Sequence, residues 1–346
     1  MTSSPPTPSA RGPRWSFSRQ GTLHDCPHRY YLNYYGWRAD AGPDHGRVHG
    51  LKRATGRHLR AGSIAHWAIE WWLRESRRQA PLVSGRQLAA AGVKKLRWDQ
   101  RASRDYLLGV DLPRPSRQSG KEQDDPVLLV EYAVGLPDAD ARLDDIAETL
   151  TDARRRFLDD PALAPFRRAA TRRDARIEAR QHISVAPTDD WPDRAEAIPI
   201  TVKLDLVYRT ETGVDIVDWK TGRNDPEPAG TLQVGGYVLW ASRALRVAPE
   251  AVRFVTVHLV SGTVHETRLD AYELYAAERL IEIQMVEMRE RHVDGLAGDE
   301  ASFPKNPERR RCRGCNFLLI CEEGKTVAGS DLTYPALPHM TAGRAP

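Results

Sequence analysis

The sequence predicts an α/β protein in which helices flank a β-sheet. An amphipathic helix begins at Gly62, residues 86–170 have a mainly helical pattern, and short strand-like apolar runs follow from about residue 175. A chain of 346 residues is long enough to bury a substantial core. We therefore expect one domain over residues 15–327, with residues 86–170 as a helical insertion.

The first helical elements are expected in order along the chain. Residues 16–37 are rich in aromatic residues and predict a short helix, a turn at Cys26 and a second helix. Residues 40–60 are rich in Gly, His and Arg and predict a loop. In the helix from Gly62, the apolar residues that predict a core face recur at helical spacing: Ile64, Ala68, Trp71 and Trp72.

Composition limits the compartment and the partners of the protein. Residues 1–14 are rich in Pro, Ser and Thr and predict a disordered tail, and the Pro-rich residues 328–346 predict a loose tail. The chain has no apolar run of membrane-spanning length and no apolar signal segment, which predicts a cytoplasmic protein without a membrane partner. A net charge of +4 permits a polyanionic partner without requiring one. Arginines gathered at 154–156, 167–176 and 309–311 could neutralise phosphates or lie on solvated helix faces.

The strand region contains a hairpin with acidic residues on both arms. Two apolar runs flank a turn at residues 210–213, which predicts an antiparallel pair. Residues i and i+2 of a strand share one face, so Asp218 and Lys220 should lie side by side, with Asp205 near Asp218. Two carboxylates and a lysine at one place suit metal-assisted phosphodiester hydrolysis. The alternative is an exposed ion pair, worth roughly 0.2–1 kcal/mol. Glu178, on the preceding strand, could add an acid or pair with its arginine neighbours.

His66, four residues after Gly62, is a candidate third ligand. An imidazole, two carboxylates and the main-chain carbonyl of Trp219 form a donor set suited to Mn²⁺ or Mg²⁺, and the nitrogen favours Mn²⁺. Such an ion would polarise a phosphoryl oxygen and activate a water, while Lys220 orients that water or offsets negative charge. The alternative is a packed core histidine without a metal.

After the hairpin, the pattern predicts a helix at residues 232–244, a second hairpin across Ser261-Gly262 and a long helix at residues 272–293. Gln233 and Tyr237 lie at i and i+4 of the first of these helices and share one face. An amide and a phenol there could hold a phosphate or brace the catalytic lysine. Core packing of the tyrosine is the alternative.

The four cysteines are unevenly placed: Cys26, Cys312, Cys315 and Cys321. A secreted disulfide scaffold would be denser in cysteine. In a reducing compartment, a C-x2-C-x5-C triplet with one distant cysteine predicts a metal or cluster site, and four unrelated thiols are the alternative. A group that joins Cys26 to Cys312 would close nearly the whole chain into a loop. By analogy with disulfides, such closure could contribute on the order of 5 kcal/mol.

Together, these positions resemble one family. In chain order they are Cys26, Gly62-x-x-x-His66, Asp205, Asp218-x-Lys220, Gln233-x-x-x-Tyr237 and the three late cysteines. They resemble the RecB-like branch of the PD-(D/E)XK nucleases, and within it the iron–sulfur members, such as the nuclease domain of AddB and the CRISPR-associated adaptation exonucleases. The resemblance covers about residues 15–325, and its specificity lies in the order and combination of the motifs.

The resemblance implies a restriction-endonuclease-like mixed sheet flanked by helices, with DNA as substrate and Mg²⁺ or Mn²⁺ at the active site. It implies that His66, Asp205 and Asp218 bind the metal, that Lys220 is the catalytic lysine, and that Gln233 and Tyr237 match the family's Q-x-x-x-Y helix. The four cysteines would bind a [4Fe–4S] cluster that staples residues 15–40 to residues 305–325. Val202 departs from the glycine that many relatives carry three residues before the motif aspartate, and Asp218 replaces the commoner glutamate.

The sequence therefore predicts a metal-dependent DNA nuclease, an exonuclease on single-stranded ends with a structural [4Fe–4S] cluster. We favour this cluster over zinc because compact zinc modules usually present two short cysteine pairs. No G-x-x-x-x-G-K-[ST] motif is present, so unwinding would need a separate helicase, CRISPR or repair protein. The alternatives are a catalytically silent DNA-binding or scaffold subunit of a repair, CRISPR or phage-defence complex, and a zinc-stapled protein without a nucleic-acid role.

Overall fold

Helices fill the first half of the chain and strands begin after residue 175. The computed structural model describes residues 12–38, 41–42, 44–77, 85–108, 126–186, 197–222, 231–293 and 296–335. The helices of the first half are α1 (Phe17–Asp25), α2 (Pro27–Tyr34), α3 (His45–Lys52), α4 (Arg57–Arg77), α5 (Gly85–Leu107), α6 (Val130–Ala133), α7 (Ala139–Asp159) and α8 (Ala164–Ala169). The second half contains β1 (Arg176–Val185), β2 (Ile198–Arg209), β3 (Val214–Lys220), α9 (Thr231–Leu245), β4 (Val252–His258), β5 (Val264–Thr267), α10 (Ala271–Glu290), β6 (His292–Val293), β7 (Leu296–Ala297), α11 (Arg309–Arg313) and α12 (Glu322–Ala328).

A mixed sheet organises the described residues, with strand order β1-β2-β3-β4-β5. Strand β2 pairs antiparallel with both β1 and β3, and β5 pairs antiparallel with β4. Strand β3 runs parallel to β4, and α9 makes the crossover between them. The predicted hairpin of β2 and β3, the second hairpin and the α/β class are thereby confirmed.

Helices cover both faces of this sheet. One face packs against α9 and α10, together with residues of α1 and α2. The other face packs against α4, α7 and α8, where the rings of Phe157 and Phe166 meet the edge of Trp219 at 5.6 and 6.2 Å between centroids. Trp219 is 1% exposed, so the residue between the predicted acid and lysine anchors β3 in the core.

In both β1 and β2, the alternation of side chains between the two faces of the sheet shifts at an acidic residue. In a regular strand, residues two positions apart point to the same face. Leu204 instead packs on the α9–α10 side and Leu206 on the α4–α8 side, so the alternation shifts at Asp205. The apolar residues of β1 change side in the same way across Glu178. The two acids therefore lie at a local distortion shared by neighbouring strands.

The helical part differs from the prediction in two places. Residues 40–60, predicted as a loop, contain α3, whose Val48 and Leu51 are buried. Helix α4 begins at Arg57 rather than Gly62, because the carboxylate of Glu131 accepts a hydrogen bond from the Arg57 backbone N–H at 3.0 Å. This carboxylate caps the helix from a distant part of the chain.

On α4, Ile64 and Ala68 are buried as predicted, whereas Trp71 and Trp72 are only half-buried. Residues 111–126 are rich in Pro, Gly and charged residues and predict a loop within the helical insertion. Almost all of this stretch lies outside the described residues, as do residues 1–11 of the N-terminal tail. In the segment expected as a loose C-terminal tail, Leu332 is 6% exposed. None of the helices that the structure describes is long and apolar enough to cross a membrane.

The arginine groups contain members that stabilise the fold. Arg154 is 0% exposed, and its guanidinium donates to the carbonyl of Leu88 at 2.7 Å. Burial lowers the pKa of Arg154 to about 10. Arg167 donates to the carbonyl of Asp160 at 3.1 Å. Arg154 is therefore fully buried, Arg167 is half-buried, and both guanidinium groups donate hydrogen bonds to main-chain oxygens.

Candidate active site

Three carboxylates form a row across β1, β2 and β3, which we call the carboxylate row: Glu178, Asp205 and Asp218. The β1–β2 register places Glu178 level with Asp205, and the β2–β3 register, continued by one residue, places Asp205 level with Asp218. Their side chains are 6%, 5% and 9% exposed. Like charges directly opposite one another in a sheet repel, so the row requires positive charge beside it.

His66 reaches the carboxylate row from α4. Its Nδ1 lies 3.0 Å from Oε1 of Glu178 and 3.2 Å from Oδ1 of Asp205. Its Nε2 lies 2.9 Å from the main-chain oxygen of Trp219. The backbone N–H of Trp219 in turn donates to Oδ2 of Asp205 at 2.9 Å. The predicted ligands His66, Asp205 and Trp219 are therefore in mutual contact.

Two lysines flank the row. The Nζ of Lys220 lies 2.7 Å from Oδ2 of Asp218, so the structure brings together the acid and lysine of the D-x-K motif. At the other end, Nζ of Lys203 lies 2.6 Å from Oε2 of Glu178. Both ammonium groups reach solvent, with side chains 36% and 47% exposed. The two ammonium groups therefore place positive charge at the solvent-exposed edge of the row, where a phosphate could approach.

The pKa values in the row reflect burial and mutual charge. Burial lowers the pKa of His66, but Asp205 and Glu178 outweigh it and hold that pKa well above its usual value. Burial raises the pKa of Asp205, and the neighbouring His66 outweighs this effect, so the net shift is downward. For Asp218, burial and then the Asp205 charge raise the pKa to about 6 against the opposing pull of Lys220. A divalent cation beside Asp205 and Asp218 would reduce the repulsion between their negative charges.

The donor set fits a hard divalent cation. With bonds of about 2.1 Å, adjacent ligands of an octahedron lie about 3 Å apart. The 2.9 Å from His66 Nε2 to the Trp219 carbonyl oxygen matches that edge. Among the described residues, one trio of His, Cys, Asp or Glu donors lies within 4.8 Å of one another, and it comprises His66, Glu178 and Asp205. The predicted ligand Asp218 lies outside this trio and contacts Lys220.

Glu178 is the site residue that sequence reasoning did not assign. Of the two arginines beside it in sequence, Arg176 donates to the Gln181 side chain at 2.9 Å, and Glu178 instead contacts His66 and Lys203. Its φ of +47° places a non-glycine residue in the left-handed region within a strand, which costs about 1–3 kcal/mol. An acid on the preceding strand was visible in the sequence, but the backbone conformation that turns it towards His66 was not.

The predicted Q-x-x-x-Y helix braces β2. The Tyr237 hydroxyl donates to the main-chain oxygen of Lys203 at 2.8 Å, and its ring stacks on Phe254 with centroids 5.3 Å apart. Gln233 hydrogen-bonds the same phenol, and burial raises the pKa of Tyr237. Helix α9 therefore supports the strand that carries Asp205, two residues from that acid.

The four cysteines line a cavity away from the carboxylate row, which we call the cysteine cavity. Cys26 lies between α1 and α2, and the others follow α10: Cys312 on α11, Cys315 after it and Cys321 before α12. Arg29, Lys305 and Arg311 also line this cavity. Burial raises the pKa of Cys315 to about 11 and also raises that of Cys321. As free thiols these two groups are neutral at physiological pH.

A model of the PD-(D/E)XK nuclease superfamily matches residues 14–322. The chain belongs to the PD-(D/E)XK nuclease superfamily. The five-strand mixed sheet flanked by helices is consistent with the restriction-endonuclease-like fold that the motifs implied. The PD-(D/E)XK family suggests a phosphodiester-cleaving hydrolase with DNA as substrate, and a divalent metal is typical of it.

No curated protein is significantly similar to this PD-(D/E)XK chain. Among solved structures, the crystal structure of SSO0001 is similar at 14% sequence identity, covering 64% of this chain and 95% of that chain, with a TM-score of 0.29.

Proposed function

We propose that this protein is a metal-dependent deoxyribonuclease, an exonuclease on single-stranded DNA ends, with a structural [4Fe–4S] cluster. The observation that carries the catalytic part is the carboxylate row, with His66 and Lys220 beside it, inside a PD-(D/E)XK domain. The preference for single-stranded ends rests on the resemblance to RecB-like exonucleases. A helicase, CRISPR or repair protein would supply duplex unwinding.

His66, Asp205, Asp218 and the carbonyl of Trp219 would hold a Mn²⁺ or Mg²⁺ ion. Such an ion, when bound, supplies Lewis-acid polarisation of the scissile phosphate. The contacts of 2.9–3.2 Å among three of these groups support the assignment. For Asp218 the support is its position in the row, level with Asp205.

Lys220 would stabilise the charge that develops on the phosphate. Its ammonium is held beside Asp218 by the strand geometry and remains partly exposed, so it can meet a substrate without a large rearrangement. Loss of a preorganised donor of this kind typically lowers the rate by about 10²–10³. Gln233 and Tyr237, proposed from the motif as substrate-binding residues, would act from α9 beside β2.

The cysteine cavity would hold the cluster. Four cysteines from both ends of the domain face one space, and basic side chains surround it, which suits a group bound by four thiolates. We favour a cluster over zinc because the site combines one C-x2-C-x5-C triplet with a single distant cysteine, whereas compact zinc modules usually present two short cysteine pairs.

A cleavage assay tests the catalytic proposal. Anaerobically purified protein is incubated with Mn²⁺ and end-labelled single-stranded, double-stranded and circular single-stranded DNA. We expect the wild type to degrade linear single strands and spare circles, and Asp218→Ala to be inactive. Asp215→Asn is the matched control, because Asp215 is also a buried acid of β3 but pairs with Arg253 and Tyr208.

The assay contradicts the proposal if wild type and Asp218→Ala are equally inert on every substrate with both Mn²⁺ and Mg²⁺. Cleavage of circles would replace the exonuclease assignment by an endonuclease. A colourless, zinc-loaded protein would overturn the cluster assignment.

A further inference from the structure

Glu178 is the one member of the carboxylate row to which the D-x-K motif and the proposed ligand set give no role. Its carboxylate is 6% exposed, although β1 is the outermost strand of the sheet at that side. A charge that is so buried needs partners on both oxygens. Oε1 faces His66 and Oε2 faces Lys203, at 3.0 and 2.6 Å.

The two nitrogens of His66 have different surroundings. Nδ1 faces carboxylates, and Nε2 faces the carbonyl oxygen of Trp219, which is itself a proposed ligand. An imidazole coordinates a metal only through a nitrogen without a proton, and the hydrogen bond made by the other nitrogen selects which one that is. Nδ1 is held by two carboxylate contacts, whereas the contact of Nε2 is to a main-chain oxygen, so we assign Nε2 to the proposed ion.

We propose that Glu178 is a positioning residue: it accepts the Nδ1 proton of His66 and thereby presents Nε2 to the divalent cation. This inference rests on the proposed function, because it takes His66 to be a metal ligand. A carboxylate on the far side of a metal-bound imidazole fixes the ring and strengthens it as a ligand. Lys203 holds Glu178 in place through its second oxygen.

Asp205 is a weaker candidate for the same task. Its Oδ1 is also near Nδ1, at 3.2 Å, but its Oδ2 accepts the Trp219 N–H and the residue is needed as a ligand. Glu178 has the shorter contact to His66, at 3.0 Å, and its second oxygen pairs with Lys203 at 2.6 Å.

The backbone at Glu178 supports a role for the carboxylate itself. The residue has a φ of +47°, in the region that glycine adopts without strain, at the point where β1 exchanges faces. Glycine would fit this backbone better, yet a glutamate stands there. The strained conformation directs its side chain to His66.

Metal binding without DNA tests the proposal. The affinity for Mn²⁺ is measured by electron paramagnetic resonance for wild type, Glu178→Gln, Glu178→Gly, His66→Ala and Glu70→Gln. Glu70 is a matched control because it lies on α4 one turn after His66, has a side chain 10% exposed and pairs with Arg74 at 2.8 Å. We expect both Glu178 variants to bind Mn²⁺ about 10–100-fold more weakly, and Glu70→Gln to bind as the wild type does.

Electron spin-echo modulation gives a readout that a structural role would not change. The wild type should show a directly coordinated nitrogen, His66→Ala should lack it, and Glu178→Gln should weaken it. Glu178→Gly should raise the thermal unfolding temperature of the metal-free protein above that of Glu178→Gln by relieving strain, while still losing affinity. Wild-type affinity and nitrogen coupling in both Glu178 variants would overturn the proposal, as would unchanged binding by His66→Ala.

These outcomes separate the inference from the nuclease assignment. If Mn²⁺ binding depends on Glu178 while no DNA is cleaved, the positioning role stands and the nuclease proposal fails. If DNA is cleaved but Glu178→Gln binds Mn²⁺ like the wild type, the nuclease proposal stands and the positioning role fails.

Discussion

The carboxylate row and the cysteine cavity both join distant parts of the chain, but different forces hold them. In the row, charged partners and main-chain hydrogen bonds lock the side chains together, as in the Trp219 N–H contact to Asp205. Around the cavity, the two chain ends meet through groups other than the thiols, such as the Asn306 amide and the Asp25 carbonyl at 3.0 Å. The row is therefore preorganised by contacts among its own residues, whereas the contacts that join the two chain ends do not involve the thiols.

Because of this difference, we expect removal of the proposed divalent cation and removal of the proposed cluster to have different effects. Loss of the divalent cation should leave the row folded but electrostatically strained, because three carboxylates remain level with one another. Loss of the proposed cluster should weaken the connection between residues 15–40 and 305–325. The row should thus respond mainly in activity, and the cavity mainly in stability.

The largest expected effect is on stability, at Cys26. Cys26→Ser removes the only thiol that the N-terminal segment contributes, so we expect the cluster-containing protein to lose on the order of 5 kcal/mol of unfolding free energy. Urea unfolding under anaerobic conditions, with iron content and visible absorbance, measures this loss. The difference in unfolding free energy between wild type and variant should vanish once iron is removed from both. An iron-loaded variant that is as stable as the wild type would contradict the structural role proposed for Cys26.

The next effect is catalytic. Lys220→Met should lower kcat about 10²–10³-fold and leave unfolding almost unchanged, because the side chain is partly exposed and, in the proposed mechanism, would contact the phosphate. Lys325→Met is the control, since Lys325 also forms a salt bridge, with Glu322 at 2.6 Å, on α12. Single-turnover cleavage of labelled DNA measures both. A Lys220→Met enzyme with wild-type kcat would remove this residue from the mechanism.

The strain in the metal-free row should appear as a pH dependence. The pKa of Asp218 is raised to about 6 from 3.8, so the folded state holds this proton more tightly than the unfolded chain. Ionisation therefore costs stability as the pH rises from about 4 to above 6, by roughly 3 kcal/mol at most. In EDTA, Asp218→Asn should be more stable than wild type at pH 7.5 and equal to it near pH 4. A stability difference that is the same at both pH values would contradict this origin.

The smallest effect concerns the brace between α9 and β2. Tyr237→Phe removes the hydroxyl that binds the Lys203 carbonyl, so we expect a loss of about 0.5–1.5 kcal/mol of unfolding free energy. The affinity for single-stranded DNA should stay unchanged if bracing is the main task of the hydroxyl. A fall in affinity without a change in stability would instead support the substrate-binding role predicted from the motif.

Much of the architecture was predictable from periodicity. The strands, the β2–β3 hairpin and α9 follow from alternating apolar residues and turn residues, and the level placement of Asp205 and Asp218 follows from the antiparallel pairing. The α3 helix was missed because its glycines, Gly46 and Gly50, are poor helix formers, and the burial of Val48 and Leu51 overrides that propensity.

The role of Glu178 was beyond sequence reasoning for a different reason. Strict alternation along β1 and β2 assigns faces incorrectly once both strands shift at the acids. That shift depends on a left-handed φ at a residue whose type does not favour it. Similarly, the capping of α4 by Glu131 needs a partner 74 residues away, which no local window contains.

The alignment of the three acids across neighbouring strands also makes the proposed site depend on the register of the sheet. A one-residue slip in either pairing would move an acid to the opposite face of the sheet. An incompletely folded or misregistered chain would therefore lack a working cutting centre.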